Sequence, residues 1–389
     1  MDYKRISADC HIDLCWLPHD LFVKNSCPEL RDRMPYVEEG PNGLYWRTKS
    51  GLDLGLANGL GSGGTMSSGG RRYVAGIEAR GDRFAETGLF DDGSKGVFRP
   101  TTPELRLKDQ DLDNTQAEVL YGLLGSGMKF TDQEAAIEFY RIYNVWLSDF
   151  CSYNLKRLVG VACIPSHTVE AAVAEIDRVK GKPGIGGVEL APSWKTEPLW
   201  HPQWDPVWKA SADANLPVHF HTHGIPQPPV ASDLPEYAKV AASAVNLVSF
   251  QMHTGSTLAA FIYSGALERH PTLRMVLGES GIGWIPYVLE RLDWEYEERY
   301  KGRSALKMKP SDYWRRQCRA TFQDDRLGIK NLDDLGEENV MWASDYPHRD
   351  GVWPDSDSYI EKQFRHLPDE TRSKITCENA GRFYGLIRD

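Results

Sequence analysis

Three histidines stand at alternate positions in the segment 216–224, which reads LPVHFHTHG. The segment resembles a β-strand in composition, and side chains two residues apart on a strand point to the same face. At least two of His219, His221 and His223 therefore share a face near a strand end. Because neutral imidazole is the commonest metal-ligating side chain, the triplet predicts a metal or catalytic site. The alternative is a strand whose histidines are solvated or hydrogen-bonded internally.

Other predicted strands also end in histidines or carboxylates. In chain order these strand-end residues are Asp9, His11, Asp13, His167, Glu189, Glu279, Asp345 and His348. Functional groups of parallel α/β folds gather at the carboxyl ends of the strands, so these side chains are expected to converge. Mixed imidazole and carboxylate ligands suit zinc, manganese or iron, and the set is large enough for one or two divalent ions.

The elements that must position these residues alternate between strands and helices. Short apolar segments predict strands at 6–12, 158–164, 185–190, 217–221, 273–278, 318–322 and 340–344. Helical patterns follow at 132–154, 168–180, 205–215, 254–269 and 284–300, with a further helical region at the C-terminus. Repeated strand–helix units imply a parallel sheet, and their number predicts an α/β fold of the (β/α)8 TIM-like barrel type. A doubly wound open sheet is the alternative, but no G-x-G-x-x-G motif follows the first strand.

Residues 20–125 interrupt this alternation. Many glycines between positions 51 and 76 make part of the segment poor in core-forming pattern. We interpret 20–125 as a long loop-rich insertion after the first strand, either a lid or a flexible surface excursion. The chain, residues 1–389, is then expected to form one barrel domain that carries this insertion.

Charge and composition exclude several function classes. The net charge is -10, which argues against nucleic acid or an anionic membrane as the main partner. No run of 18 apolar residues and no signal-peptide pattern is present, so no membrane span is expected. Seven cysteines without a C-x-x-C pair indicate reduced thiols and a cytoplasmic location.

Three motifs resemble the amidohydrolase superfamily, in its amidohydrolase-related, decarboxylase-like branch. Residues 7–11 (SADCH) resemble the opening strand of that branch. The segments 264–271 (SGALERHP) and 278–293 (GESGIGWIPYVLERLD) resemble its late barrel signature, and 342–348 (WASDYPH) resembles its last-strand motif. The resemblance covers residues 1–20 and most of 100–389, and it implies a (β/α)8 barrel with a catalytic metal at the C-terminal face.

The resemblance also implies roles for single residues. His11 matches the first histidine of the usual H-x-H pair, His221 the ligand on the fifth strand, and Asp345 the aspartate ligand of the last strand. Asp13 stands where the second histidine of the pair is usual, and Glu279 stands where many relatives have a histidine. These two carboxylates make the ligand set harder, which favours manganese or iron over zinc.

Several residues have more than one expected role. Asp9 either ligates metal or orients His11, and Glu279 acts as base, ligand or bridge. Glu189 lies where binuclear relatives place a bridging lysine or glutamate, and the alternative is a strand-end carboxylate bonded to a neighbour. His219 is expected deeper in the barrel, where it fixes His221 or substrate. The candidates for substrate contact are His223, His253 and His348.

Three hypotheses for function follow. The first is a metal-dependent enzyme that hydrolyses or decarboxylates a small organic molecule, with Asp345 as ligand and proton acceptor, and Glu279 as second acid or base. The second is a dinuclear iron or manganese–iron oxygenase on the same fold, for example one that hydroxylates amines. The third is a metal-poor subunit that supports a paralogue. By resemblance, the chain is expected to form a homodimer or a hetero-oligomer with a paralogue.

Overall fold

A computed structural model describes residues 3–40, 43–57, 76, 79–192, 196–222 and 233–388. Its main sheet has eight strands, each parallel to the next along the chain. These are β1 (Ile6–Ile12), β2 (Ala117–Gly122), β3 (Leu158–Ile164), β4 (Ile185–Leu190), β5 (Val218–His221), β6 (Met275–Gly278), β7 (Cys318–Phe322) and β8 (Val340–Trp342). Nearly all of their residues are buried, as expected for parallel strands covered on both faces.

The first and last strands come together and close the sheet. The backbone N–H of His11 donates to the carbonyl oxygen of Tyr346 at 2.7 Å, and that of Asp345 donates to the carbonyl oxygen of Asp9 at 3.0 Å. The structure thus confirms the predicted (β/α)8 TIM-like barrel. All eight strands run in the same direction, so their carboxyl ends form one mouth.

Helices surround the barrel and bury their apolar faces against it. Trp208 and Phe261, from two of these helices, pack together with Phe220 of β5 in the main core. At the start of the helix after β3, the side chain of Thr168 accepts from the N–H of Ala171. This bond gives a partner to one of the N–H groups that a helix leaves unpaired at its first turn. The helices of eight or more residues are Ala79–Glu86, Pro103–Leu112, Gln133–Ser152, Val169–Val179, Asp205–Ala214, Glu236–Ser249, Thr254–Tyr263, Ile285–Glu295, Pro310–Gln317 and Ser356–Phe364.

The segment between β1 and the helix Gln133–Ser152 is more regular than the sequence indicated. Residues 117–122, placed in the predicted insertion, form barrel strand β2, so the insertion ends earlier than residue 125. Part of the remainder is an antiparallel sheet of Tyr36–Gly40, Gly43–Arg47 and Asp53–Leu56. Trp46 of this sheet is buried, and its indole N–H donates to the Leu14 carbonyl oxygen just beyond the end of β1. The glycine-rich residues 58–75 lie outside the described residues.

Two further features of the structure concern its helices and its cysteines. Among the described helices, none combines the length and apolar character needed to cross a membrane. All seven cysteines lie in the described part of the chain and none is in a disulfide; six are buried, and Cys27 is partly exposed.

Candidate metal centre

The carboxyl ends of four barrel strands bring five predicted residues into one buried cluster. Asp9 and His11 lie two residues apart on β1, so both side chains point into the barrel. His221 ends β5, while Glu279 and Asp345 directly follow β6 and the Ala343–Ser344 extension of β8. Each of the five is no more than 5% exposed.

His11 lies at the centre of this cluster. Its Nε2 lies 3.3 Å from Asp9 Oδ1 and 3.2 Å from Asp345 Oδ1. Nε2 of His221 lies 3.6 Å from the same Asp9 oxygen and 3.5 Å from Glu279 Oε2. Two groups of ligand atoms, each within 4.8 Å of one another, result: Asp9, His11 and His221, and His11, Glu279, Asp345 and His348. The two groups share His11.

Several atoms of the cluster are buried without a hydrogen bond. Among the described residues, Asp9 Oδ1, both ring nitrogens of His11 and both carboxylate oxygens of Asp345 have no hydrogen-bond partner. A buried polar atom left in this state costs about 1–3 kcal/mol, so native structures rarely keep five of them together. A divalent cation would take up lone pairs of the Asp9 and Asp345 carboxylates and of one ring nitrogen of His11. The donor set of the cluster therefore fits a divalent metal.

The charges of the cluster depend strongly on one another. Burial opposes protonation of His11, but contacts with Asp13, Asp345 and Asp9 outweigh it and raise the His11 pKa well above its ordinary value. Burial likewise opposes ionisation of Asp9, but His11 and His221 hold the Asp9 pKa below its usual range. These acids thus stay ionised and attract positive charge. A metal ion would supply that charge and displace the imidazole protons.

Backbone geometry fixes the two carboxylates at the barrel mouth. Glu279 has φ 46° and Asp345 has φ 58°, a left-handed conformation that costs free energy in residues other than glycine. The N–H of Glu279 donates to Asp9 Oδ2 and to Thr321 Oγ1, both at 2.7 Å, and the Thr321 hydroxyl donates to Asp9 Oδ2 at 2.7 Å. Asp9 thus holds both strained residues, since its own carbonyl accepts from Asp345. Thr321 was not singled out from the sequence, although it is a polar residue in an otherwise apolar strand end.

His348 has a larger part in the cluster than the sequence suggested. Its ring stacks on that of His11 with centroids 3.9 Å apart, and its Nδ1 lies 3.3 Å from Asp345 Oδ1. Its Nε2 hydrogen-bonds with Asp13 Oδ2 at 2.9 Å. Asp13 itself lies outside the two groups of ligand atoms, and its Oδ1 lies 3.5 Å from His11 Nδ1. The geometry thus places Asp13 behind the two imidazoles.

Burial also changes the acidity of Glu279. Burial, followed by the charges of Asp345 and Asp350, raises the Glu279 pKa well above its ordinary value. Its carboxyl group therefore retains a proton more readily than the Asp9 carboxyl does. Such a difference allows one carboxyl group of a site to act as an acid while the other stays ionised.

His219 lies deeper in the barrel, as the sequence suggested. Its Nδ1 hydrogen-bonds with the hydroxyl of Tyr121 at 2.7 Å, and burial lowers its pKa to about 3. His219 is therefore a neutral imidazole. Tyr121 was missed from the sequence because its strand, β2, was not predicted. Its ring also packs beside His221, with centroids 5.1 Å apart.

The remaining candidates lie apart from the two groups. Glu189 is buried on β4, where the Cys163 thiol donates to its Oε2 at 3.6 Å. His167 lines a separate cavity of about 990 Å³. His253 is partly buried in a short helical turn. His223 lies outside the described residues.

Comparison with known proteins agrees with this geometry. The family model described as amidohydrolase matches residues 9–386. A gamma-resorcylate decarboxylase from Rhodococcus jostii is 26% identical over 307 residues, which cover 73% of this chain and 88% of that protein. The family match thus includes the barrel strands and the candidate metal centre.

Solved structures share the fold at lower identity. An amidohydrolase from Mycobacterium avium subsp. paratuberculosis has a TM-score of 0.72 and 18% identity, covering 100% of this chain and 99% of that chain. The 5-carboxyvanillate decarboxylase of Novosphingobium aromaticivorans has a TM-score of 0.66 and 20% identity, covering 99% and 96%. That enzyme was crystallised with manganese and 4-hydroxy-3-methoxy-5-nitrobenzoic acid.

Proposed function

The chain belongs to the amidohydrolase family, and from this premise we propose that it removes a carboxylate from an aromatic acid without an oxidant. The observation that carries the proposal is the buried cluster at the barrel mouth, in which three imidazoles and three carboxylates meet. The decarboxylases among the relatives support the reaction type. Hydrolysis on the same site is the other chemistry expected from the sequence.

We assign the metal-binding role to Asp9, His11, His221 and Asp345. Oxygens of Asp9 and Asp345 lie 3.3 and 3.2 Å from His11 Nε2, and His221 Nε2 lies 3.6 Å from the same Asp9 oxygen. The proposed ion is manganese, because carboxylates predominate near the site and manganese occurs in related structures. When bound, this ion would supply positive charge that stabilises the negative charge of the substrate. The Oε2 atom of Glu279 lies 3.5 Å from Nε2 of His221, and we propose that Glu279 is the acid.

In the proposed reaction, the bond between the ring carbon and the carboxyl carbon breaks. Its electron pair remains on the ring carbon, Glu279 delivers a proton from its carboxyl group to that carbon, and carbon dioxide leaves. Asp13 orients the imidazoles of His11 and His348 from behind. His219 stays neutral and hydrogen-bonds with Tyr121, whose ring packs beside His221.

Other predicted ligands and properties receive narrower roles. We place Glu189 in the barrel wall beside Cys163 rather than among the ligands. The described part of the insertion, anchored through Trp46 near the end of β1, is proposed as a cover of the barrel mouth. The homodimer and the cytoplasmic location expected from the sequence stay predictions.

The test is an anaerobic assay of the manganese-loaded protein with a panel of hydroxylated benzoic acids. We expect one acid to yield a product that lacks the carboxylate, with one carbon dioxide released per product. The Asp345→Asn variant should lose this activity. The His270→Ala variant should keep it, because His270 lies at a helix end and pairs with Asp205. Turnover that requires oxygen would favour the oxygenase hypothesis instead. Absence of carbon dioxide release from the whole panel would overturn the proposal.

A further inference from the structure

A cationic pocket lies at the end of the barrel opposite the metal centre. Arg274 directly precedes β6 and Arg319 is the second residue of β7, so both lie at the amino ends of their strands. Glu279 follows the same strand β6 at its other end, five residues from Arg274 and about 16 Å away for an extended chain. The pocket encloses about 330 Å³, within the range of small-ligand sites.

The lining of this pocket is strongly unbalanced in charge. It contains five cations and one carboxylate, namely Arg274, Arg316, Arg319, Lys374, Arg382 and Glu338. Lys374 and Arg382 form ion pairs with glutamates. Arg274, Arg316 and Arg319 have no carboxylate within 4.0 Å among the described residues, although Glu338 does act on Arg319 at longer range. Three guanidinium groups thus lack a direct counter-ion.

Two of these arginines are held in place by one aromatic ring. The guanidinium carbons of Arg274 and Arg319 lie 4.6 and 5.8 Å from the centroid of the Phe383 ring, within cation–π distance. Arg274 also donates to the carbonyl oxygens of Phe383 at 2.9 Å and Asn215 at 3.2 Å. Burial lowers the pKa of both arginines. The protein therefore keeps two neighbouring like charges partly buried, which costs free energy unless an anion offsets it.

We propose that this pocket binds a small multivalent anion whose oxygens belong to phosphate or carboxylate groups. The planar fork of arginine matches both groups through paired N–H donors, which makes several arginines around one cavity selective for such oxyanions. This site is separate from the metal centre and takes no part in the proposed decarboxylation.

The test is calorimetric titration of the full-length protein with inorganic phosphate and, separately, with malonate. Sodium chloride at matched ionic strength serves as the control. We expect saturable binding of at least one anion, and the stronger of the two identifies the source of the oxyanion. Arg319→Gln should bind at least about tenfold more weakly, because it removes a charge-assisted hydrogen-bonding group. Arg316→Gln should show a smaller loss.

Two features of the design keep the test decisive. Arg316 is exposed, so its variant tests the pocket even where Arg319→Gln fails to fold. Arg291→Gln is the matched control, because Arg291 pairs with Glu295 on another helix and does not line the pocket. Phosphate bound at the metal centre would survive both pocket substitutions. Equal binding by all variants, or no saturable binding at millimolar anion, overturns the proposal.

Discussion

The buried ion pair between Arg106 and Glu118 lies next to the candidate metal centre, and we expect its loss to destabilise the protein. Arg106 is fully buried and Glu118 is 2% exposed. The Arg106 Nε donates to Glu118 Oε2 at 2.7 Å, and its Nη1 donates to the carbonyl oxygens of His11 and Pro100 at 2.9 and 3.0 Å. Arg106 therefore ties the end of β1 to β2.

Replacing Arg106 by methionine should destabilise the protein by about 3–5 kcal/mol, because Glu118 would remain as a buried charge without its partner. The assay is urea unfolding followed by circular dichroism. The double variant Arg106→Met, Glu118→Leu removes both charges and should regain a large part of the loss. The partly exposed pair of Arg291 and Glu295 is the control, since Arg291→Met should cost less than about 1 kcal/mol.

The reasoning would be refuted by either of two results. One is a loss below about 1 kcal/mol for Arg106→Met, the value of an exposed pair. The other is additivity of the two substitutions, because partners in a buried pair should show a coupling energy of about 0.5–3 kcal/mol.

Three further predictions concern the barrel interior and Asp113, which directly follows the helix Pro103–Leu112. Thr321→Val removes the hydroxyl that donates to Asp9 Oδ2; it should weaken metal binding about 10- to 100-fold, measured by competition with a chelator. Gly187→Ala would place a Cβ 2.4 Å from Nε2 of His219; it should cost about 1–3 kcal/mol in urea unfolding, and an unchanged midpoint would contradict the packing. Burial raises the pKa of Asp113 to about 7. Between about pH 4 and about pH 7 the folded protein therefore keeps a proton that the unfolded chain has released. The free energy of unfolding should fall by about 4 kcal/mol as the pH rises through this range. Asp113→Asn should remove this pH dependence, and the same slope in the variant would refute the assignment.

The sequence predicted the barrel and most of the cluster for the same physical reason. Parallel strands are buried on both faces and read as apolar segments, so a histidine or carboxylate at their ends is conspicuous. Asp9, His11, His221, Glu279 and Asp345 were all found in this way, and the structure brings them together.

The sequence did not predict features that depend on long-range contacts. β2 was missed because its short apolar segment follows the glycine-rich insertion, where no strand–helix alternation leads up to it. Tyr121, on that strand, was missed with it. The place of His348 depends on the turn after β8, which stacks its ring on His11. No periodic pattern reports such a turn.

The metal content of purified variants tests the central claim most directly. Elemental analysis of the wild-type protein should find a divalent transition metal in stoichiometric amount. His221→Ala and Asp345→Asn should each lose most of it, because each removes a ligand from the cluster around His11. His270→Ala should retain it, since His270 pairs with Asp205 away from the barrel mouth. Wild-type metal content in both His221→Ala and Asp345→Asn would contradict the account.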